Sequence, residues 1–196
     1  MFAAVLTGAV ATVAIDQRRL LRALGCSPVE LARRCVAEVA ARATDYNGFN
    51  LFVADEHRLA YFSNRGDSQP RCLDPGIYGV SNHLLDTPWP KLASARSAFA
   101  AALPGLPARA PFFELLADQE IVADAHLPET GVPLEWERIL SAVFVRSENY
   151  GTRASTLLFR RRDGQTTLIE RSFDAGGQTA GEVRKSFQSS LISTGV

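Results

Sequence analysis

The segment from Gly76 to Leu92, GIYGVSNHLLDTPWPKL, constrains the fold of this chain more than any other. It begins with small and large residues in alternation from Ile77 to Val80, a pattern that predicts a short strand. Pro88 then excludes regular structure, because proline has no N–H to donate and restricts the residue before it. A helix is predicted from Pro90 to Leu103. The segment therefore predicts a strand, a rigid elbow and a helix.

This connection has two interpretations. The strand would bring Asn82 and His83 to its end, where polar residues on a loop that a rigid scaffold positions commonly form a binding site. Asn82 and Asp86 equally suit a plain connector in which they only satisfy the geometry of a turn. The residue types alone favour the plain connector.

The rest of the chain reads as helices separated by groups of strands. A helix is predicted from Pro28 to about Ala43, because Ser27 suits the N-cap position and Pro28 the first helical position. Further helices are predicted from Phe112 and over Leu134–Leu140. Strands are predicted over Phe49–Ala54, Leu59–Ser63, Ala142–Val145, Ser155–Arg161, Thr166–Phe173 and Val183–Gln188, with Arg65–Asp74 as a charged loop. This order predicts one α+β domain over residues 1–196, with antiparallel sheets.

The first fifteen residues, Met1 to Ile15, carry no charge. They are too few to cross a bilayer as a helix, so no membrane span is predicted. The run suits either a buried strand or strand pair, or a secretory leader. The absence of basic residues before the apolar run favours strands.

Charge and cysteine usage narrow the partners and the compartment. Lys and Arg together number 21 and so do Asp and Glu, which gives no electrostatic reason to expect nucleic acid. Cys26, Cys35 and Cys72 fit no metal-ligand spacing, so no metal is predicted. The sequence has no GxGxxG, P-loop or HExxH motif, and no cofactor is predicted. Free thiols are typical of a reducing compartment, and the chain is therefore predicted to be cytoplasmic.

Five segments together resemble one family. They are YNGFNLFVAD (46–55), YFSNRG (61–66), the segment 76–92, LPETGVPLEWERILSAVFV (127–145) and YGTRASTLL (150–158). In this order they are similar to the NRDE family, also known as the transport and Golgi organisation 2 family. The resemblance implies a fold like that of the N-terminal nucleophile hydrolases, a four-layer αββα sandwich.

The resemblance also shows what this sequence lacks. Family members typically begin Met-Cys, so that removal of Met exposes a nucleophilic Cys, and carry Asn-Arg-Asp-Glu soon after. This sequence begins Met1-Phe2 and contains no Asn-Arg-Asp-Glu. Cys26 and Cys72 are poor substitutes, since neither lies at an N-terminus or beside a His. The chain thus resembles a member without its N-terminal segment, and no catalytic residue is predicted.

Four residues form the predicted ligand-binding set: Asn82, Asp86, Trp89 and Arg153. Asn82 matches the Asn of the family motif, so it either donates hydrogen bonds to a ligand carbonyl or caps its own turn. Asp86 and Trp89 shape the elbow.

Arg153 matches the Arg that the family has in YGTR. It either holds a ligand carboxylate or pairs with Glu135 or Glu137.

Three functions remain open. The first is a non-catalytic carrier of a small apolar or carboxylate-bearing ligand, haem-like or lipid-like, since the family is associated with haem mobilisation and lipid metabolism. The second is a C–N amide hydrolase, if the native start lies upstream and supplies an N-terminal Cys. In the third, missing strands leave an exposed sheet edge through which the chain forms a homodimer or aggregates.

Overall fold

The computed structural model describes residues 2–7, 28–54, 59–66 and 69–188. Its helices are α1 (Pro28–Ala41), α2 (Pro90–Ala102), α3 (Ala110–Leu116) and α4 (Leu134–Leu140). Its strands are β1 (Phe2–Thr7), β2 (Asn50–Ala54), β3 (Leu59–Ser63), β4 (Arg71–Leu73), β5 (Ala154–Arg160), β6 (Gln165–Phe173) and β7 (Thr179–Gln188). All strand pairs in the described residues are antiparallel, which confirms the α+β prediction.

The chain divides into two compact units, and each is described by itself. The three-stranded unit comprises Ala9–Thr87, and its sheet has the strand order β2-β3-β4. The four-stranded unit comprises Met1–Gly8 and Pro88–Val196, and its sheet has the order β1-β5-β6-β7.

In the three-stranded unit, α1 covers one face of the sheet. Val36 of α1 is fully buried and packs with Leu51 of β2 and with Ala60 and Phe62 of β3. These strand residues share a face because side chains two apart along a strand point the same way. The helix predicted from Pro28 is thus present, and it buries Val36 against the sheet.

In the four-stranded unit, α3 supplies the core beneath the sheet. Phe112 and Leu116 of α3 pack with Leu157 of β5 and Ile169 of β6, and each of the four is 2% exposed or less. Burying a side chain of this size stabilises a fold by about 1.5–3 kcal/mol. Phe99 of α2 meets the Phe112 ring edge-on at 5.4 Å, so α2 joins the same core.

Two predicted strands are wrong because their backbone groups bond elsewhere. Residues 77–80 are irregular, and the Gly79 N–H donates to the Asp86 side chain instead of to a strand. Residues 142–145 are irregular too. There the Phe144 N–H donates to the Asp118 carbonyl, and the Val145 N–H donates to the Thr152 hydroxyl.

Two further predictions needed correction. The predicted loop 65–74 contains β4, whose three residues pair with β3. The last strand begins at Thr179, four residues before the predicted start, because β7 pairs along the whole of β6. The first strand, β1, is confirmed, and the predicted strand beyond it falls outside the described residues. None of the helices that the structure describes has the length and apolar character needed to cross a bilayer.

Candidate ligand-binding site

The segment that carries Asn82 is a closed loop running from Gly79 to Asp86. The Asp86 N–H donates to the Gly79 carbonyl at 2.7 Å, and the Gly79 N–H donates to Asp86 Oδ1 at 2.8 Å. Asp86 has a φ of 58°, in the left-handed region, which Asp tolerates better than most residues because its short side chain bonds locally. Asp86 therefore shapes this loop, and its assignment as a ligand contact stays a prediction.

Two residues of the β2–β3 hairpin hold the middle of the loop. The Asn50 amide donates to the His83 carbonyl at 2.9 Å. The Tyr61 hydroxyl donates to Asn50 Oδ1 at 2.6 Å and accepts the Leu85 N–H at 3.1 Å. Since Tyr61 is only 1% exposed, its hydroxyl depends on these partners in place of water.

Arg65 holds the carbonyl of Asn82 itself. Its guanidinium donates to that oxygen at 2.7 Å and lies directly against Gly48. A Cβ added at Gly48 would lie closer to Arg65 Nε than real contacts allow. Gly48 and Arg65 both belong to the motif segments. The motifs do not show that the two residues are in contact.

The side chain of Asn82 is exposed, and its amide has no hydrogen-bond partner among the residues that the structure describes. Beside it, His83 Nδ1 lies 2.9 Å from the Thr87 hydroxyl, which itself donates to the Leu84 carbonyl at 2.9 Å. Because a hydroxyl has one proton to donate, we assign the proton of this contact to His83 Nδ1. The loop thus presents the Asn82 amide outward from a bonded backbone.

Asn64 is a polar residue that the sequence reasoning missed. Its Oδ1 accepts the Phe49 N–H at 2.7 Å, and its amide donates to the carbonyls of Ala43 and Asn47 at 3.0 and 3.2 Å. Every polar atom of this side chain is used, so Asn64 joins the end of α1 to the start of β2. Asn64 of the YFSNRG motif therefore has a structural role.

In the four-stranded unit, Trp89 lies immediately before α2, and Lys91 lies in its first turn. The Lys91 ammonium donates to the Leu140 carbonyl at the end of α4 at 2.6 Å and is 5.8 Å from the centroid of the Trp89 ring. Burial lowers the pKa of the Lys91 amine, and the Glu137 carboxylate offsets part of that shift. Lys91 therefore joins two helices of one unit.

Arg153 lies just before β5, and its side chain is exposed. Within the described part of the chain its guanidinium has no ion-pair or hydrogen-bond partner. The predicted alternative, a pair with Glu135 or Glu137, is not formed. Glu137 is 7% exposed, and its Oε1 accepts both the N–H and the hydroxyl of Thr130. The Arg153 backbone is fixed, since its carbonyl accepts the Phe173 N–H at 2.9 Å.

One exposed aromatic pair includes Tyr150, which is three residues before Arg153 in the chain. Trp136 and Tyr150 meet edge-on with ring centroids 5.8 Å apart and are 40% and 47% exposed. The Ser147 hydroxyl fixes the turn that presents Tyr150, because it donates to the Tyr150 carbonyl and accepts the Tyr150 N–H. The motifs LEWER and YGTR contain both aromatics, but only the fold shows their contact.

The four predicted ligand-binding residues divide between the two units. Asn82 and Asp86 belong to the three-stranded unit, and Trp89 and Arg153 belong to the four-stranded unit. The three-stranded unit also has a shallow groove of about 800 Å³ beside the end of α1, and none of the four residues lines it. The arrangement therefore offers two polar groups without described partners, the Asn82 amide and the Arg153 guanidinium, on different units.

The two described cysteines are free thiols with different surroundings. Cys35 is buried in α1, and burial together with the nearby Glu38 raises the pKa of its thiol, which disfavours the nucleophilic thiolate. Cys72 is exposed in β4. Cys26 lies outside the described residues.

Comparison with known proteins agrees with the motif segments. The family model described as Transport and Golgi organisation 2 matches residues 26–175. The Transport and Golgi organization protein 2 homolog of Bos taurus is 39% identical over 152 residues, covering 69% of this chain and 54% of that protein. The Homo sapiens homolog is 36% identical over 145 residues, covering 65% of this chain and 51% of that protein. The chain thus spans about half the length of these relatives, and it belongs to the Transport and Golgi organisation 2 family.

Proposed function

We propose that this protein binds and carries a small amphipathic ligand, haem-like or lipid-like, that bears a carboxylate. The observation that carries the proposal is the exposed Arg153 guanidinium, which has no partner among the described residues. A guanidinium matches a carboxylate in shape and can donate two parallel hydrogen bonds to it. The ligand would therefore enter with its carboxylate on Arg153.

The aromatic pair supports an apolar body for that ligand. Trp136 and Tyr150 remain 40–47% exposed although their rings are large and apolar. Rigid aromatic rings provide a large contact area at a small cost in conformational entropy. An acyl chain or a flat macrocycle would bury these rings, and the support for a carboxylate on Arg153 is that Tyr150 is three residues away from it in the chain.

The proposal also covers the fold of the protein and its cellular compartment. We infer an N-terminal-nucleophile-hydrolase-like αββα sandwich, and the support is that each unit has an antiparallel sheet with helices packed on one face. We also infer a cytoplasmic protein, supported by the free thiols of Cys35 and Cys72.

The test is a ligand titration that follows the fluorescence of the two tryptophans, Trp89 and Trp136. Wild-type protein is titrated with haem and, separately, with oleate. Arg153→Gln removes the charge and leaves a shorter side chain that can still donate hydrogen bonds. We expect the Kd to rise about tenfold, since one charge-assisted hydrogen bond contributes roughly 1.5–3 kcal/mol and 1.4 kcal/mol is a factor of ten.

Arg162→Gln is the matched control, because Arg162 is also an exposed arginine and lies between β5 and β6. Its Kd should equal that of the wild type. Failure of both ligands to bind wild-type protein would contradict the proposal, as would equal weakening by the two variants.

A second candidate is a C–N amide hydrolase of the N-terminal-nucleophile kind, whose nucleophile would come from a native start upstream of Met1. The exposed Asn82 amide favours it, because an amide on a loop that Arg65, Asn50 and Tyr61 hold can donate to a developing oxyanion. The test is N-terminal sequencing of the protein from its native host, combined with an assay for amine release from an amide. A chain that begins with Cys and releases amine supports this candidate, and one that begins at Met1 or Phe2 contradicts it.

A further inference from the structure

The strand β7 is an edge of the four-stranded sheet. It spans ten residues and pairs with β6, and among the described residues no other strand adjoins it. It contains no proline, and only Gly181 of its ten residues is even partly buried. The one register shift in its pairing with β6 lies near its start, between the pairs Ser172–Gly181 and Phe173–Thr179. A long edge of this kind presents unpaired backbone N–H and C=O groups to which another strand can bond.

In one antiparallel register, two copies of β7 place oppositely charged residues across from each other. When Val183 lies opposite Val183 of a second copy, Glu182 falls opposite Arg184, and the two-fold axis repeats that pair. Directly opposite residues of an antiparallel pair lie on the same face, so these charges come within reach of each other. A register centred one residue later places Arg184 opposite Arg184, and the next places Lys185 opposite Lys185, and both set like charges against each other.

The exposed side chains of β7 suit the same register. Val183 and Phe187 are 55% and 53% exposed, although both are apolar. Val183 would be covered by its own copy at the axis. Arg184 is exposed and has no ion-pair partner in the described part of the chain, so it can pair with Glu182 of the second copy. Glu182 already accepts from Arg171 at 2.7 Å, and its carboxylate has lone pairs for a second donor.

We propose that β7 pairs with β7 of a second copy of this chain, in the register centred on Val183, to form a symmetric homodimer with one continuous sheet. The interface is isologous and closes on itself, so the product is a dimer and not a fibre. This proposal is independent of the proposed ligand.

The first test measures the dimerisation constant by sedimentation for three chains. Arg184→Glu places two glutamates opposite each other on both sides of the axis, and we expect dimerisation to weaken at least about tenfold. Lys185→Glu is the control with the same change of charge on the neighbouring residue. It faces Gly181 in this register, so it should dimerise like the wild type. A monomeric wild type, an open polymer, or equal effects of both variants would overturn the proposal.

The second test fixes the register covalently and does not depend on a charge change. In the proposed register the Cα atoms of Val183 and its copy are about 4.5–5.5 Å apart, a distance that a disulfide spans. Val183→Cys should therefore give a covalent dimer on mild oxidation. Lys185→Cys serves as control, because its two copies would be about 13 Å apart along the strands. Cross-linking equal to that of the control would contradict the register.

Discussion

The Gly79–Asp86 loop and the segment from Tyr150 to Arg153 both lie in motif segments, but they use their polar groups in opposite ways. In the loop, three consecutive carbonyls, those of residues 82–84, accept hydrogen bonds from the side chains of Arg65, Asn50 and Thr87. In the second segment the backbone is fixed, while the Arg153 side chain is exposed and has no described partner. A motif residue can thus maintain a loop or face a ligand, and only its contacts distinguish the two roles.

The largest expected effect lies in the hairpin that holds the loop. Tyr61→Phe removes a buried hydroxyl and leaves Asn50 Oδ1 and the Leu85 N–H without partners. We expect the free energy of unfolding to fall by about 1–3 kcal/mol. Tyr150→Phe is the matched control on an exposed ring and should change it by less than about 0.5 kcal/mol. Chemical denaturation measures both, and equal losses would remove the distinction between the two regions.

A smaller effect is expected at the contact between Gly48 and Arg65. Gly48→Ala places a methyl group where Arg65 Nε lies, so the guanidinium must move away from the Asn82 carbonyl. The loss should be about 1 kcal/mol, the usual contribution of one hydrogen bond. At Gly105, an added Cβ has nothing within 4 Å. Gly105→Ala should therefore be neutral or slightly stabilising, and a loss equal to that of Gly48→Ala would contradict the close approach.

The buried Lys91 amine should make the stability of the four-stranded unit depend on pH. Because burial lowers the pKa of this amine in the folded chain, the unfolded chain binds more protons between the lowered value and the ordinary one. Stability should therefore rise as the pH rises through that alkaline window. Lys91→Met should abolish the rise, whereas Lys185→Met, at an exposed lysine, should retain it. Thermal unfolding between neutral and alkaline pH gives the comparison, and an unchanged profile in Lys91→Met would refute it.

The smallest expected effect on stability is at Arg153. Since its guanidinium is exposed and has no described partner, Arg153→Gln should change the free energy of unfolding by less than about 0.5 kcal/mol. Denaturation of the variant measures this directly. A loss of more than about 1 kcal/mol would mean that Arg153 maintains the fold, as the loop residues do.

Local signals in the sequence predicted much of the fold. The start of α1 at Pro28 and the bounds of α4 follow from residues within a few positions of each other. The three residues of β4 were missed because their only support is pairing with β3, which depends on the fold. The alternation over residues 77–80 predicted a strand that is not formed, because contacts within the loop satisfy the backbone there.

The candidate site was predicted less completely than the fold. The resemblance marked Asn82 and Arg153, but no sequence pattern shows that Arg65 bonds the Asn82 carbonyl from 17 positions away. The Trp136–Tyr150 contact likewise joins two motifs across the chain. The two residues of each pair are far apart in the sequence, beyond the three or four positions that join neighbours on a helix. Only tertiary structure brings them together.

The most direct test of the central claim compares one ligand with and without its charge. Wild-type protein is titrated with oleate and with methyl oleate, which share the acyl chain and differ in the carboxylate. If Arg153 holds that group, the acid binds about tenfold or more tightly than the ester in the wild type, and the two bind equally to Arg153→Gln. Equal binding of acid and ester to the wild type would contradict the account.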